Sequence, residues 1–315
     1  MIRYVARRLL LSLPVLFGVT VLVFFLARVL PGDIFTARAG STGLSVEERA
    51  RLRTEAGLDK PLLLQYADWA AHAARFDLGD SLWNKRSVNS ELARALPITL
   101  ELTTLAALIG VLIAVPLGVI SAAMQGSPVD YLARLLGVLG LSVPGYVLGT
   151  LTITYLALWF KWTPPAGGVS FFDDPWRNVQ QFFFPAIILG ASFAAAVMRM
   201  TRSSVLGVLH EDYVRTAWAK GLRVRLVLLR HVLKNAMIPI ATLIGAQIGY
   251  LLGGTVIIET IFSLSGVGSL AFDAIQNRDY FMLQAVTLLA AMAFTLINLA
   301  VDVSYAFLDP RIRYS

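Results

Sequence analysis

Charge is absent from this chain in a regular way. Six windows contain no Asp, Glu, Lys or Arg: Leu9 to Ala27, Leu102 to Val129, Leu135 to Phe160, Asn178 to Met198, Asn235 to Ile258 and Phe281 to Val301. A helix of about 20 residues crosses the roughly 30 Å of hydrocarbon in a bilayer, and each window supplies that length. Backbone amides have no water to bond to in hydrocarbon, so a spanning segment of this kind pairs them within a helix. The predicted fold is therefore all-α, a polytopic membrane protein with six transmembrane helices. Composition agrees, with 57% hydrophobic and only 15% charged residues, where an average soluble domain has about 25% charged. Pro14, Pro116, Pro144-Gly145 and Gly253-Gly254 interrupt the windows, which membrane helices tolerate when neighbours satisfy the freed backbone groups.

The cations set the orientation. MIRYVARR carries three arginines, and Arg199 to Lys234 carries eight Arg or Lys against Glu211 and Asp212. Both stretches belong on the cytoplasmic side. Four windows lie between them, so both termini are expected in the cytoplasm, and the opposite connections, Lys161 to Arg177 and Glu259 to Tyr280, have no basic excess. The net charge of +7 does not indicate nucleic acid, because the cations gather beside apolar windows rather than in an aromatic-interleaved patch. The first window resembles a signal peptide, but its exit, ARVLPGD, lacks a small-x-small cleavage site, so a retained first helix is expected.

Residues 31–97 are the one sizeable polar region, with nine basic and nine acidic residues. Ser45 to Glu48 has the capping-box form, Gly57 is placed to end that helix, and Asp59-Lys60-Pro61 can start a second one reaching Phe76. A small external helical module between the first two spans is expected. Such a module suits a docking surface for an external partner.

The segment from Tyr213 to Pro239 is basic and amphipathic. On a continuous helix Leu222, Leu226, Leu229 and Leu233 share one face, while Arg223, Arg230 and Lys234 lie about 100° away. Gly221 marks a break between a short first helix and a second one entering the membrane. The pattern alone leaves two options open: a helix lying in the lipid interface or one that docks a partner.

Several functions are disfavoured. The chain has no G-x-x-x-x-G-K-[ST] phosphate loop and no HExxH, and its histidines are His72, His210 and His231. With no cysteine it has no thiolate metal site or cysteine nucleophile. An ion-coupled carrier usually places ionisable groups at membrane depth, and the six windows hold none. A self-contained secondary carrier and a membrane scaffold remain as the alternatives.

The sequence closely resembles the binding-protein-dependent ABC importer permeases of the dipeptide, oligopeptide and nickel class. The stretches that carry the likeness are RYVARRLL…LPVLFGVTVLVFFLARVLPGD, GLDKPLLLQYADWAAHAARFDLGDSL, LPITLEL and NRDYFMLQAV…NLAVDVSYAFLDPRIRY. The resemblance implies the type I importer permease fold, like that of methionine permeases. It divides the chain into a cytoplasmic N-terminus with first helix (1–30), an external module (31–97), a permease core (98–310) with a cytoplasmic coupling loop (199–235), and a tail (311–315).

It also implies an ATPase-coupling motif at Tyr213, Arg215, Thr216, Ala217, Trp218, Ala219, Lys220 and Gly221, without the leading glutamate of other subfamilies. Tyr213, Trp218 and the leucines are available as anchoring contacts, and Arg215 and Lys220 to meet acidic groove residues. Trp69, Phe76, Asp77, Ser263 and Ser265 are then expected to face the external solute-binding protein, and Gln247 and Asn298 either to line the translocation path or to hydrogen-bond between helices. The implied partners are a second homologous permease subunit in a heterodimer, two ATP-binding subunits that carry ATP and Mg, the solute-binding protein and membrane lipid, in a bacterial inner membrane. No catalytic residue, metal site or cofactor is expected on this chain. Peptides are the implied cargo, with nickel chelates, opines and oligosaccharides as the family's other substrates.

Overall fold

A computed structural model describes residues 2–29, 34–35 and 45–308. The predicted tail 311–315 and the opening of the polar module fall outside the described residues. The described chain is helical: α1 (Ile2–Val29), α2 (Val46–Glu55), α3 (Leu62–Ala73), α4 (Val88–Ala123), α5 (Pro128–Ser142), α6 (Gly145–Phe160), α7 (Pro175–Leu209), α8 (Asp212–Ala219), α9 (Val224–Ile261), α10 (Val267–Gln276) and α11 (Tyr280–Leu308). Five of these, α1, α4, α7, α9 and α11, are long and apolar enough to cross a membrane.

The remaining window, Leu135 to Phe160, is not one straight helix. It is divided between α5 and α6, which meet at an angle of 89°. Val143 takes an extended conformation (φ −93°, ψ 117°) and Pro144 caps α6. A residue before proline is pushed out of the α region by the pyrrolidine ring. Pro14, Pro116 and Pro239 lie within continuous helices, so a proline by itself does not decide where a window divides.

The core is the α4–α7 pair, the most extensively packed in the described chain. Small residues let these backbones approach: a Cβ on Gly118 would lie 2.6 Å from Thr201 Cβ, and one on Gly190 would lie 2.9 Å from the Ala106 carbonyl oxygen. Close approach through small residues suits helices in lipid, which have no hydrophobic drive toward one another. On the α9–α11 contact a Cβ on Gly249 would lie 2.7 Å from Phe294. Helix α1 packs on α11, and Arg8 pairs with Asp302 at 3.1 Å. The start of α1 and the end of α11 therefore lie at the same end of the bundle.

Between α1 and α4, α2 and α3 form a small helical unit. Ser45 and Glu48 make both reciprocal capping-box bonds, and Gly57 (φ 66°) follows the end of α2. These bonds to Ser45 hold the Glu48 carboxyl below its usual range. Phe24 at the end of α1 packs with Tyr66 and Trp69 of α3, which seats the unit on the bundle.

Candidate functional site

The predicted coupling loop 199–235 is mostly helix: α7 continues to Leu209 and α9 starts at Val224. The corner between them is α8. Gly221 (φ 73°) sits just beyond its end, where the Gly221 amide donates to the Trp218 carbonyl at 2.9 Å. That left-handed conformation suits glycine, which has no Cβ to clash.

The seat of α8 is apolar and narrow. Val214 (0% exposed) and Ala217 (5%) face inward, joining Val205 of α7 and Val227 and Val232 of α9 in the main core. Tyr213 (43%) and Trp218 (38%) face outward. Arg215, Thr216, Ala219 and Lys220 are exposed. Arg215 reaches Asp212 at 3.6 Å across the surface, a pair of little energetic weight. The Tyr213 hydroxyl accepts from Asn235 Nδ2 at 2.9 Å, and Asn235 also donates to the His231 carbonyl at 2.9 Å.

The leucine stripe does not form as predicted. Leu222 lies in the break before α9, while Leu226 and Leu229 are exposed. The first turns of α9 are a π-helix, Val227–Leu233, whose i to i+5 closure brings Val227 and Val232 to one side. Ala236 and Ile240 continue that buried line at ordinary α spacing. The packed face is therefore small and β-branched; Leu226 and Leu229 are exposed, while Leu222 and Leu233 are half-buried against the edge of the core.

Beside this corner, Asp130 is buried at the start of α5. Arg202 of α7 donates to its two carboxylate oxygens at 2.7 and 2.9 Å, Ser121 Oγ donates at 2.6 Å, and the Gly126 amide at 3.0 Å. This clamp joins α4, α5 and α7 just inside the α8 corner.

Two carboxylates organise the opposite end. Glu259 accepts from Thr99 Oγ1 at 2.7 Å and the Ser269 amide at 2.9 Å, while Thr99 in turn accepts from the Val267 amide at 2.8 Å. A Cβ on Gly268 would lie 2.6 Å from the Val256 backbone, so the FSLSGVG turn needs that glycine to close over Glu259. Asp279 accepts from Ser81 Oγ, from the Leu82 amide at 3.2 Å and from the Met282 amide at 3.4 Å. Gly167 pairs with Ser263 and Ser265 through backbone bonds of 2.9 and 3.1 Å.

Of the residues predicted to face an external partner, Ser263 and Ser265 are exposed on this rim, and so are Phe76 and Asp77. Trp69 is not. It is 6% exposed and packs against Phe24 and Tyr66, because α3 turns its aromatic face to α1. Gln247 is half-buried and Asn298 exposed, and among the described residues no hydrogen bond joins them. No group of three His, Asp or Glu among the described residues is placed to hold a metal ion.

Residues 1–103 match the family described as the N-terminal part of the binding-protein-dependent transport system membrane component, and residues 114–314 match the binding-protein-dependent transport system inner membrane component. The chain belongs to this permease family. Over its full length it is 39% identical to the dipeptide transport system permease protein DppB of Escherichia coli K12, covering 99% of that protein. It is 40% identical to the glutathione transport system permease protein GsiC of Salmonella typhimurium, with both chains fully covered. Its fold is similar to a chain of the MetNI methionine ABC transporter in inward-facing conformations, at a TM-score of 0.55, 16% identity, 69% coverage of this chain and 96% of that one.

Charges that organise both ends of the permease stand where its charge-free windows stop. Asp130 directly follows Val129, Glu259 follows Ile258, Arg8 precedes Leu9 and Asp302 follows Val301. Their position was visible in the sequence as window edges. Their main partners were not, because Arg202 with Asp130, Thr99 with Glu259 and Arg8 with Asp302 join segments far apart in the chain.

Proposed function

We propose that this permease is the transmembrane pathway subunit of an ATP-driven importer for short peptides, driven through α8 by ATPase subunits. The observation that carries this is the α8 corner: an eight-residue helix whose buried contacts are Val214 and Ala217, with Tyr213, Arg215, Thr216, Trp218, Ala219 and Lys220 turned outward. An exposed helix joined to two long membrane helices can seat in a groove and pass that groove's movement to the spans. Coupling follows if nucleotide state changes which conformer of the spans is populated.

The basic excess around α8 assigns that end, with both termini, to the cytoplasm. The chain then divides as the resemblance implied, with 31–97 an external module. Of the two ATP-binding subunits, which carry ATP and Mg, one receives α8 in its groove. A second homologous permease completes the pathway as a heterodimer, with Gln247 and Asn298 along it. The rim that exposes Phe76, Asp77, Ser263 and Ser265 receives an external solute-binding protein. Peptide is the cargo because two full-length relatives are named for dipeptide and glutathione transport, and glutathione is itself a short peptide.

The test is purification and uptake. Gly221→Asp places a side chain on a left-handed residue and a negative charge at the foot of α8, and Trp218→Ala with Lys220→Glu removes its exposed aromatic and reverses its cation. Each is expected to lower binding-protein-dependent uptake at least tenfold and to reduce co-purification of the ATPase subunits. Unchanged uptake and assembly in both would remove the basis for α8 coupling.

A further inference from the structure

A cavity of about 500 Å³ opens at the end of the bundle opposite α8, between the end of α1, the α2–α3 unit and the loop over residues 77–85. Ligand sites commonly occupy about 300–1,000 Å³, so the volume suits a small molecule. Its charged lining sorts into two groups. Lys60 and Asp68 neutralise each other at 2.6 Å, and Glu55 is held by Arg51 at 2.7 Å. Arg28, Lys85, Asp77 and Asp80 also line the cavity, and none of the four has an ion pair among the described residues. After internal pairing, two cations and two carboxylates remain.

The donors have a fixed arrangement. The Arg28 guanidinium lies 3.5 Å above the Phe24 ring and donates Nε to Gln65 Oε1 at 3.0 Å, which orients it without neutralising it. Trp69 lines the same cavity and packs against the same Phe24 ring. It is 6% exposed, and its indole Nε1 has no hydrogen-bond partner. A buried donor left unpaired is costly and calls for an acceptor. On the carboxylate side, Asp77 accepts from the Gly79 amide at 3.0 Å. Leu58, Leu78 and Phe281 supply an apolar wall.

We propose that this cavity binds a small zwitterion, a short peptide with free termini, whose carboxylate meets Arg28, Lys85 and the Trp69 indole N–H and whose ammonium group meets Asp77 and Asp80. A neutral ligand would bury these charges uncompensated, and a ligand of one sign would satisfy only half of them. The zwitterion class follows from the lining; the choice of peptide among zwitterions rests on the importer function proposed above.

The experiment uses the assembled transporter in lipid nanodiscs without binding protein, with dialanine and N-acetyl-dialanine-amide compared by saturation-transfer NMR. Dialanine is expected to bind, and the blocked analogue to bind at least tenfold more weakly. Asp80→Asn with Lys85→Gln, two exposed positions, is expected to weaken dialanine binding at least tenfold. Trp69→Phe keeps the packing and removes the N–H, and is expected to weaken binding about fivefold. Equal binding of the blocked peptide, no dialanine signal in the wild type, or wild-type binding in the variants would each overturn the site. Loss of binding-protein affinity in the double variant, with no dialanine signal in the wild type, would assign the cavity to a protein contact and overturn it too. Dialanine uptake with binding protein is measured in parallel: bound but untransported dialanine refutes the peptide cargo and leaves the site standing.

Discussion

The two ends of the bundle hold their loops by different forces. At the end opposite α8, Glu259 and Asp279 are buried and bond backbone amides of the segments over them, at Ser269, Leu82 and Met282. These bonds are directional, and displacing a loop would leave a buried carboxylate short of partners, which is costly. At the α8 end, Asp130 and Arg202 lock three helices together, but α8 itself rests on the apolar contacts of Val214 and Ala217 and an exposed hydrogen bond from Asn235 to Tyr213. Apolar contact is non-directional, so a small shift or roll of α8 costs less than the same movement of the FSLSGVG turn. The difference fits a receiving surface that stays fixed and a driven element that moves.

Three measurements break or sharpen this comparison. Arg202→Met leaves Asp130 buried without its main partner, and is expected to destabilise the purified permease by about 3–5 kcal/mol, the usual effect of removing one member of a buried pair. Asp130→Asn added to Arg202→Met should recover most of that in thermal unfolding. If the single variant unfolds like wild type, the clamp does not fix the frame on which α8 sits. Glu259→Ala strands the Ser269 amide and Thr99, and is expected to cost about 2–3 kcal/mol. Hydrogen exchange should accelerate over residues 263–269 and stay unchanged in α8; equal acceleration at both ends would mean that the ends are not held independently. Val214→Ala removes two buried methyl groups beneath α8, with an expected cost of about 1–2 kcal/mol. Exchange within α8 should quicken and uptake should fall, while residues 263–269 keep their protection. Protection lost at both ends would erase the contrast.

Much of the frame was legible because hydrocarbon imposes a simple rule on composition. The charge-free windows mark the long helices, the Ser45–Glu48 pair marks the start of α2, and Gly221 marks the end of α8. Each is a local signal with a local cause. The shared face of the four leucines assumed one continuous α-helix; Leu222 lies before α9, and the π segment Val227–Leu233 shifts the register so that Val227 and Val232 are the packed residues. Trp69 misled for a related reason: an aromatic residue in a polar module is equally suited to docking and to packing, and only the position of α1 assigns it to packing.

The sequence by itself determined which segments enter the membrane, where short helices begin and end, and which charges lie beside the spans. These depend on each segment's own transfer free energy and hydrogen-bonding needs. Tertiary structure alone decided that Asp130 meets Arg202, that Glu259 closes the turn before α10, that Pro144 bends its window by 89° while Pro116 leaves α4 continuous, and that Arg28 and Trp69 flank one ring. Each of these depends on which distant segments meet and which buried groups they satisfy, and no single stretch of sequence carries that information.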